Sequence, residues 1–243
     1  MPRKAKKIKQ APPELEVNLD NFVIERDNNW HLVDGVEYPR VSWVNSFYPK
    51  GERYEMWLGD MPSYNEAIKY RDERGASGTK VHEGCELKIQ GMALSYSDYT
   101  RNEQRMIEAF DKWREEVQPE IINYEQTVVS KDFFYAGHYD ILCRIKGQLY
   151  IVDIKTGSIE LESWWTQQAS YIQALFEMGL VKEDETVLPA VLHLGVKNKK
   201  YFKFIESEKK WEDWFLIFLS VQSIWAHENP DPQPKHYLRA RVF

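Results

Sequence analysis

The segment "AGHYDILCRIKGQLYIVDIKTG", residues 136–157, constrains this chain more than any other stretch. Two apolar runs flank a Gly147-Gln148 pair, which predicts two antiparallel strands joined by a tight turn. With Gly147 and Gln148 as the central residues, Lys146 pairs with Leu149, and Gly in the first central position suits a type II′ turn. That register sets Leu142 opposite Asp153 and Asp140 opposite Lys155. Tyr139, Ile141, Cys143 and Ile145 then share one face with Tyr150, Val152 and Ile154. The other face carries Leu142, Leu149 and Ile151, and at its open end gathers Asp140, Asp153 and Lys155. Asp140 and Asp153 become diagonal neighbours, roughly 7–8 Å apart at Cα, near enough for their carboxylates to share one cation. Taken alone, an Asp-x-Lys pattern on a strand usually marks an exposed, salt-bridged edge.

Around the hairpin, local signals divide the chain. Residues 22–44 read as extended segments about the turn signals Asp27-Asn28-Asn29 and Asp34-Gly35. A Ser63 cap with Glu66 three residues later starts a helix that closes at Gly75, and a second helix begins near Ser77 with Val81, His82, Cys85, Glu86 and Ile89. A third, capped by Thr100 with Glu103, sets Met106, Ile107, Phe110, Trp113 and Val117 on one face and stops before Pro119. Strands follow at 121–129, 134–146 and 149–155, then a helix over 163–178, strands at 187–196 and 200–205, and an apolar helix over 207–227. On the 163–178 helix, Trp165, Ala169, Ile172 and Phe176 form the core stripe, with Gln167 and Tyr171 on its flank. Helices before and after a compact sheet predict one α/β domain, with the first 120 residues as an elaboration of it. Its parts are a disordered basic tail over 1–13, N-terminal strands and helices over 14–120, a core over 121–228 and a C-terminal tail over 229–243.

Composition narrows the classes. Nine Trp, eleven Phe and fourteen Tyr can fill a substantial core without a disulfide. The two cysteines, Cys85 and Cys143, suit buried thiols in a reducing compartment and are too few for an iron–sulfur cluster. The longest apolar run, "WFLIFLSV", is too short to span a membrane, and no signal peptide is visible, so a soluble, cytoplasmic protein is expected. The net charge is −6, yet residues 1–10 hold five cations and no acid. That tail is a solubilising terminus or a loose phosphate-binding arm. Further basic clusters lie at "VKNKKYFKF" (196–204) and "KHYLRARVF" (235–243).

Several short motifs share one order along the chain: "GTKVHEG", "YEQTVV", "AGHYD", "IVDIKTG" and "QQASY". Together they resemble the PD-(D/E)xK nuclease superfamily in its RecB-like exonuclease branch, over about residues 78–171. Within the branch the chain is more similar to the small phage-encoded and mitochondrial genome-maintenance exonucleases than to iron–sulfur members. The resemblance implies a restriction-endonuclease-like α/β fold, with a central mixed sheet flanked by helices and an N-terminal helical elaboration, and a deoxyribonuclease that uses Mg²⁺ or Mn²⁺ and no iron–sulfur cluster. It further implies an exonuclease acting on DNA ends, with a preference for single strands, in recombination, repair or replication. The implied setting is the cytoplasm of a bacterial or phage-infected cell, with DNA as partner, no membrane, and room for a recombination or replication protein.

The resemblance also assigns roles. Asp140 and Asp153 become metal ligands, joined by the carbonyl of Ile154 and by His82; a lone helical histidine is otherwise an ordinary partly buried residue. Lys155 orients the attacking water, stabilises transition-state charge, or acts as a base with a lowered pKa. Glu125 is either an acceptor for a metal-bound water or simply a charge at a strand start. Gln167 and Tyr171 hydrogen-bond the scissile strand or Lys155. Apart from the resemblance, Lys197, Lys199, Lys200 and Lys203 of the basic cluster after the core sheet are a candidate DNA track should the basic tail not serve as one. The competing reading is a catalytically inactive nucleic-acid-binding or assembly protein on the same fold.

Overall fold

The computed structural model describes residues 26–27, 29–157 and 160–230; the basic tail and the C-terminal cluster 235–243 lie outside the described residues. In chain order the elements are β1 (Arg26–Asp27), β2 (Trp30–Val33), β3 (Val36–Pro39), α1 (Val41–Asn45), α2 (Glu52–Asp60), α3 (Tyr64–Gln90) and α4 (Arg101–Val117). They continue as β4 (Glu120–Ser130), β5 (Tyr135–Ile145), β6 (Gln148–Lys155), α5 (Ser163–Glu177), β7 (Val187–Leu194), β8 (Phe202–Glu206) and α6 (Trp211–Glu228).

The hairpin is the centre of a five-stranded mixed sheet ordered β4-β5-β6-β7-β8. Only β6 and β7 run parallel. A parallel neighbour requires a crossover, and α5 supplies it. Both faces of the sheet are covered, which is why β6 reads as a nearly unbroken apolar run. Tyr150, Val152 and Ile154 pack with Ile107, Phe110 and Trp113 of α4 and Val81 and Cys85 of α3. Leu149 and Ile151 pack on the other side with α5 and α6. A small antiparallel sheet, β1-β2-β3, leans on the rim through Val33, Tyr38, Val129 and Ala136. The result is a mixed α/β architecture with helices on both sides of the central sheet. Both cysteines are buried free thiols. Among the described residues no helix is long and apolar enough to cross a membrane.

Local chemistry explains the helix boundaries. Ser63 Oγ accepts the Glu66 N–H at 3.2 Å, and Thr100 and Glu103 form a reciprocal capping box. Four expectations need correction. The helix begun at Tyr64 does not close at Gly75; it runs to Gln90, with Gly91 as its left-handed cap. A mid-helix Gly costs about 1 kcal/mol, but α3 uses two later ones for close approach. A Cβ on Gly84 would sit 2.4 Å from Ile107, and one on Gly78 would sit 3.1 Å from Thr156. Residues 41–45 are helical rather than extended.

The hairpin turn is Lys146-Gly147, not Gly147-Gln148. Both central residues have positive φ (52° and 86°), the signature of a type I′ turn, whose twist matches that of the strands. The whole register therefore slips by two: Ile145 pairs with Gln148 and Ile141 with Val152. Continued one step, it brings Asp140 directly opposite Asp153 rather than diagonal to it. Finally, Tyr139 leaves the face of Ile141 and packs with Leu142 and Ile151. The β4–β5 ladder pairs Tyr124 with Ile141 and Gln126 with Tyr139 but skips Glu125 and Asp140. Glu125 has φ +47°, so the chain is irregular where those two carboxylates lie.

Candidate functional site

The open end of the hairpin collects side chains from five elements. Asp140 comes from β5, Asp153 and Lys155 from β6, Glu125 from β4, His82 from α3, and Gln167 with Tyr171 from α5. One potential ligand atom from each of His82, Glu125 and Asp140 lies within 4.8 Å of the others. His82 Nδ1 is 3.5 Å from Asp140 Oδ1. The other Asp140 oxygen accepts the backbone N–H of Ile154 at 2.6 Å, which fixes the carboxylate against β6. A nitrogen and two carboxylates form a donor set suited to a first-row divalent cation.

Beside this set runs a second chain of contacts. Lys155 Nζ lies 2.7 Å from Asp153 Oδ2 and donates to Gln167 Oε1 at 3.2 Å. Gln167 Nε2 in turn donates to the Tyr171 hydroxyl at 2.9 Å. The Lys155–Asp153 contact is a close ion pair at a buried carboxylate. Gly137 lets the buried Tyr171 ring in: a Cβ there would meet its Cε1 at 2.5 Å. The spacing Gly137-x-x-Asp140 thus has a packing reason.

Electrostatics separates the two aspartates. Burial pushes the Asp153 carboxyl up to about 6, and the neighbouring Asp140 charge adds to this against the pull of Lys155. For Asp140 burial acts in the same direction, but His82, Lys155 and the Ile154 N–H outweigh it and hold its carboxyl below the usual value. His82 loses basicity by burial, yet Asp140 and Asp153 more than offset this and push it up to about 9. Burial also raises the Tyr171 phenol, so it remains a neutral hydroxyl. Paired carboxylates in a buried position, one of them reluctant to ionise, form an environment that a cation would relieve.

The remaining candidates are placed as follows. Asp153 lies outside the three-residue donor set but close enough to interact with both Asp140 and His82. The Ile154 N–H, rather than its carbonyl, makes the contact seen here. Lys203 lies two strands from Lys155 in one row, Lys155–His193–Lys203, and pairs with Glu160 at 2.8 Å. Lys200 pairs with Glu116, while Lys197 and Lys199 are exposed in the β7–β8 loop, at the same end of the sheet. On α5, Trp165 and Phe176 are only half-buried, whereas Trp164 and Tyr171 are buried; the helix lies between sheet and α6 and has no free flank.

Sequence reasoning missed two supports. Asn45 of α1 donates to the Ser163 carbonyl at 2.7 Å and accepts from Thr166 Oγ1 at 2.6 Å, clamping the first turn of α5. His193 is buried against Trp164, with its Nε2 on the Gly157 carbonyl. A histidine within the buried parallel run "VLHLG" was a usable signal for the second. Asn45 had none.

No known protein-family model matches this sequence. No curated protein matches it either. Among solved structures, it is similar to a crystal structure of a protein from Eubacterium rectale provisionally named an exonuclease, with 11% identity and a TM-score of 0.46 over 85% of this chain and 91% of that one. At that score, nothing of the neighbour's activity carries over to this chain.

Proposed function

We propose that this chain is a metal-dependent deoxyribonuclease that hydrolyses DNA phosphodiester bonds, acting as an exonuclease on DNA ends with a preference for single strands. Its setting would be DNA recombination, repair or replication. The observation that carries the reading is the convergence of His82, Glu125 and Asp140 beside the buried Asp153–Lys155 pair. His82, Glu125, Asp140 and Asp153 would hold Mn²⁺ or Mg²⁺, with the Ile154 carbonyl a further candidate ligand; the imidazole favours Mn²⁺. Such an ion, when bound, neutralises phosphate charge and makes a water acidic enough to attack.

The protein's own groups do the rest. Lys155, held by Gln167 and Asp153, presents an ammonium where charge builds on the phosphate oxygens. Tyr171 is anchored under Gly137 and fixes Gln167, so it positions Lys155 through one intermediate. Lys197, Lys199, Lys200 and Lys203 lie at the same end of the sheet and would receive the DNA backbone.

The test incubates the full chain with end-labelled linear and sealed circular DNA, single- and double-stranded, with Mn²⁺, Mg²⁺ or EDTA. We expect linear single strands to be degraded with either metal, sealed circles to survive, and EDTA to stop the reaction. Binding without cleavage under every metal condition would favour the inactive DNA-binding reading, and cleavage in EDTA would exclude the metal mechanism.

A further inference from the structure

The helix pair before the site keeps its aromatic side chains near the surface, with Tyr54 and Trp57 half-buried and Tyr64 and Tyr70 exposed. None of the nine residues of α2 is buried, although its sequence ERYEMWLGD contains Tyr54, Met56, Trp57 and Leu58. In the N-terminal half of α3, Ala67 is buried while Tyr64 and Tyr70 are 67% and 40% exposed. These rings are arranged in a line. Lys50 Nζ stands 4.8 Å over the Tyr54 ring, Tyr54 is 5.4 Å from Trp57, Trp57 is 5.9 Å from Tyr70, and the Arg74 guanidinium is 5.1 Å over Tyr70. The order along the surface is cation, three rings, cation.

Exposed apolar groups in a contiguous patch mark an interaction surface. The chemistry of this one fits a particular ligand. Planar bases stack on Tyr and Trp rings and on guanidinium planes, and their phosphates suit the cations at either end. Duplex DNA hides its base faces and fits poorly. One helix ties the platform to the site, because α3 carries both Tyr70 and His82, twelve residues and about 18 Å apart along the helix axis. We propose that the Tyr54–Trp57–Tyr70 line is a base-stacking platform for single-stranded nucleic acid, holding the strand a few nucleotides from the hairpin's open end. This rests on the nuclease reading for its purpose but not for its geometry.

Charge gives the platform a distinguishing property. Residues 50–74 hold five Lys or Arg and six Asp or Glu, so no net positive charge accompanies the rings. Stacking carries the affinity, and little of it depends on salt. Binding of a single-stranded oligonucleotide to the full chain in EDTA would be followed by Trp fluorescence quenching and by anisotropy, over a range of salt. Stacking is worth about 1–3 kcal/mol per base, so Trp57→Ala and Tyr70→Ala should each weaken binding roughly fivefold or more. The slope of log affinity against log salt should stay as in the wild type, whereas Lys197→Ala with Lys199→Ala should make it shallower. Trp57→Phe keeps a ring and should restore binding. No residue of α2 is fully buried, so melting curves should stay close to that of the wild type.

Wild-type affinity in both ring variants would overturn the proposal. So would a self-associating wild type that becomes monomeric in Trp57→Ala without losing DNA affinity, since the face would then be an interface between copies. If ring variants lose binding but no metal supports cleavage in the wild type, the platform stands and the nuclease reading fails.

Discussion

The two ends of the central hairpin carry similar charges in different circumstances. At the turn end, Arg144 meets Glu185 as a single ion pair, with side chains 34% and 23% exposed. At the open end, Asp140, Asp153, His82 and Lys155 interact as a group around two aspartates whose side chains are only 13% and 5% exposed. Water screens the first pair, so it contributes little and constrains little. Burial makes each charge at the second end depend on the others. An isolated strand charge is a surface feature; a buried cluster with unequal ionisation is a candidate site.

The sharpest way to break this comparison is to remove one charge from each end. Asp153→Ala or Lys155→Ala should abolish cleavage while leaving the melting temperature nearly unchanged, and for Asp153→Ala even raised, because a buried carboxylate beside Asp140 is removed. Arg144→Ala should keep full activity and cost about 0–1 kcal/mol in denaturant unfolding. Equal activity losses at the two ends would erase the distinction.

A smaller but structural effect is expected at Gly137. Its Cβ would force the buried Tyr171 ring aside, so Gly137→Ala should destabilise by about 1–3 kcal/mol. It should also lower the turnover rate, because Gln167 loses its anchor. Activity unchanged in a destabilised variant would separate Tyr171 from the chemistry.

The least dramatic effect is a pH dependence confined to the open end. Asp153 is raised from 3.8 to about 6, so its stabilising contribution is fully present below its unfolded value and is lost as pH rises through about 6. His82 is raised from 6.5 to about 9, so its contribution is present below 6.5 and lost as pH rises through about 9. Asp140 is lowered and acts in the opposite sense, losing its contribution only as pH falls through its depressed value. Metal-free protein should therefore lose melting temperature as pH rises from about 4 to 9. Mn²⁺ should restore more of it at the alkaline end, where the ligands give up protons at least cost. Asp153→Asn should flatten the lower part of the curve. A metal-free melting temperature that rises over this range would contradict the assigned ionisation.

Much of the fold was legible because its signals are local. The capping residues Ser63 and Thr100, the apolar runs of β5 and β6 and that of α6 each report on a few neighbouring residues, and the elements form where they predict. Asp140, Asp153 and Lys155 were legible as a group for the same reason, since one hairpin carries all three. The details that failed lie where local information is degenerate. A two-residue slip keeps every side chain on its face, so hydrophobic patterning cannot separate a Lys146-Gly147 turn from a Gly147-Gln148 turn. Gly75 looks like a helix stop until the packing of α3 on α4 makes continuation worth its cost.

The sequence by itself therefore determined the strands and helices of the core from α4 to α6, which faces of β6 are buried, and that two carboxylates and an ammonium share one hairpin end. Only tertiary structure decided that Asp140 and Asp153 stand opposite each other, that His82 and Glu125 reach Asp140 from α3 and β4, and that burial pushes the two aspartates apart in acidity. Spacing along a chain describes neighbours within one element. The distance between elements, and the solvent excluded between them, exist only once the sheet and its helices have closed around the site.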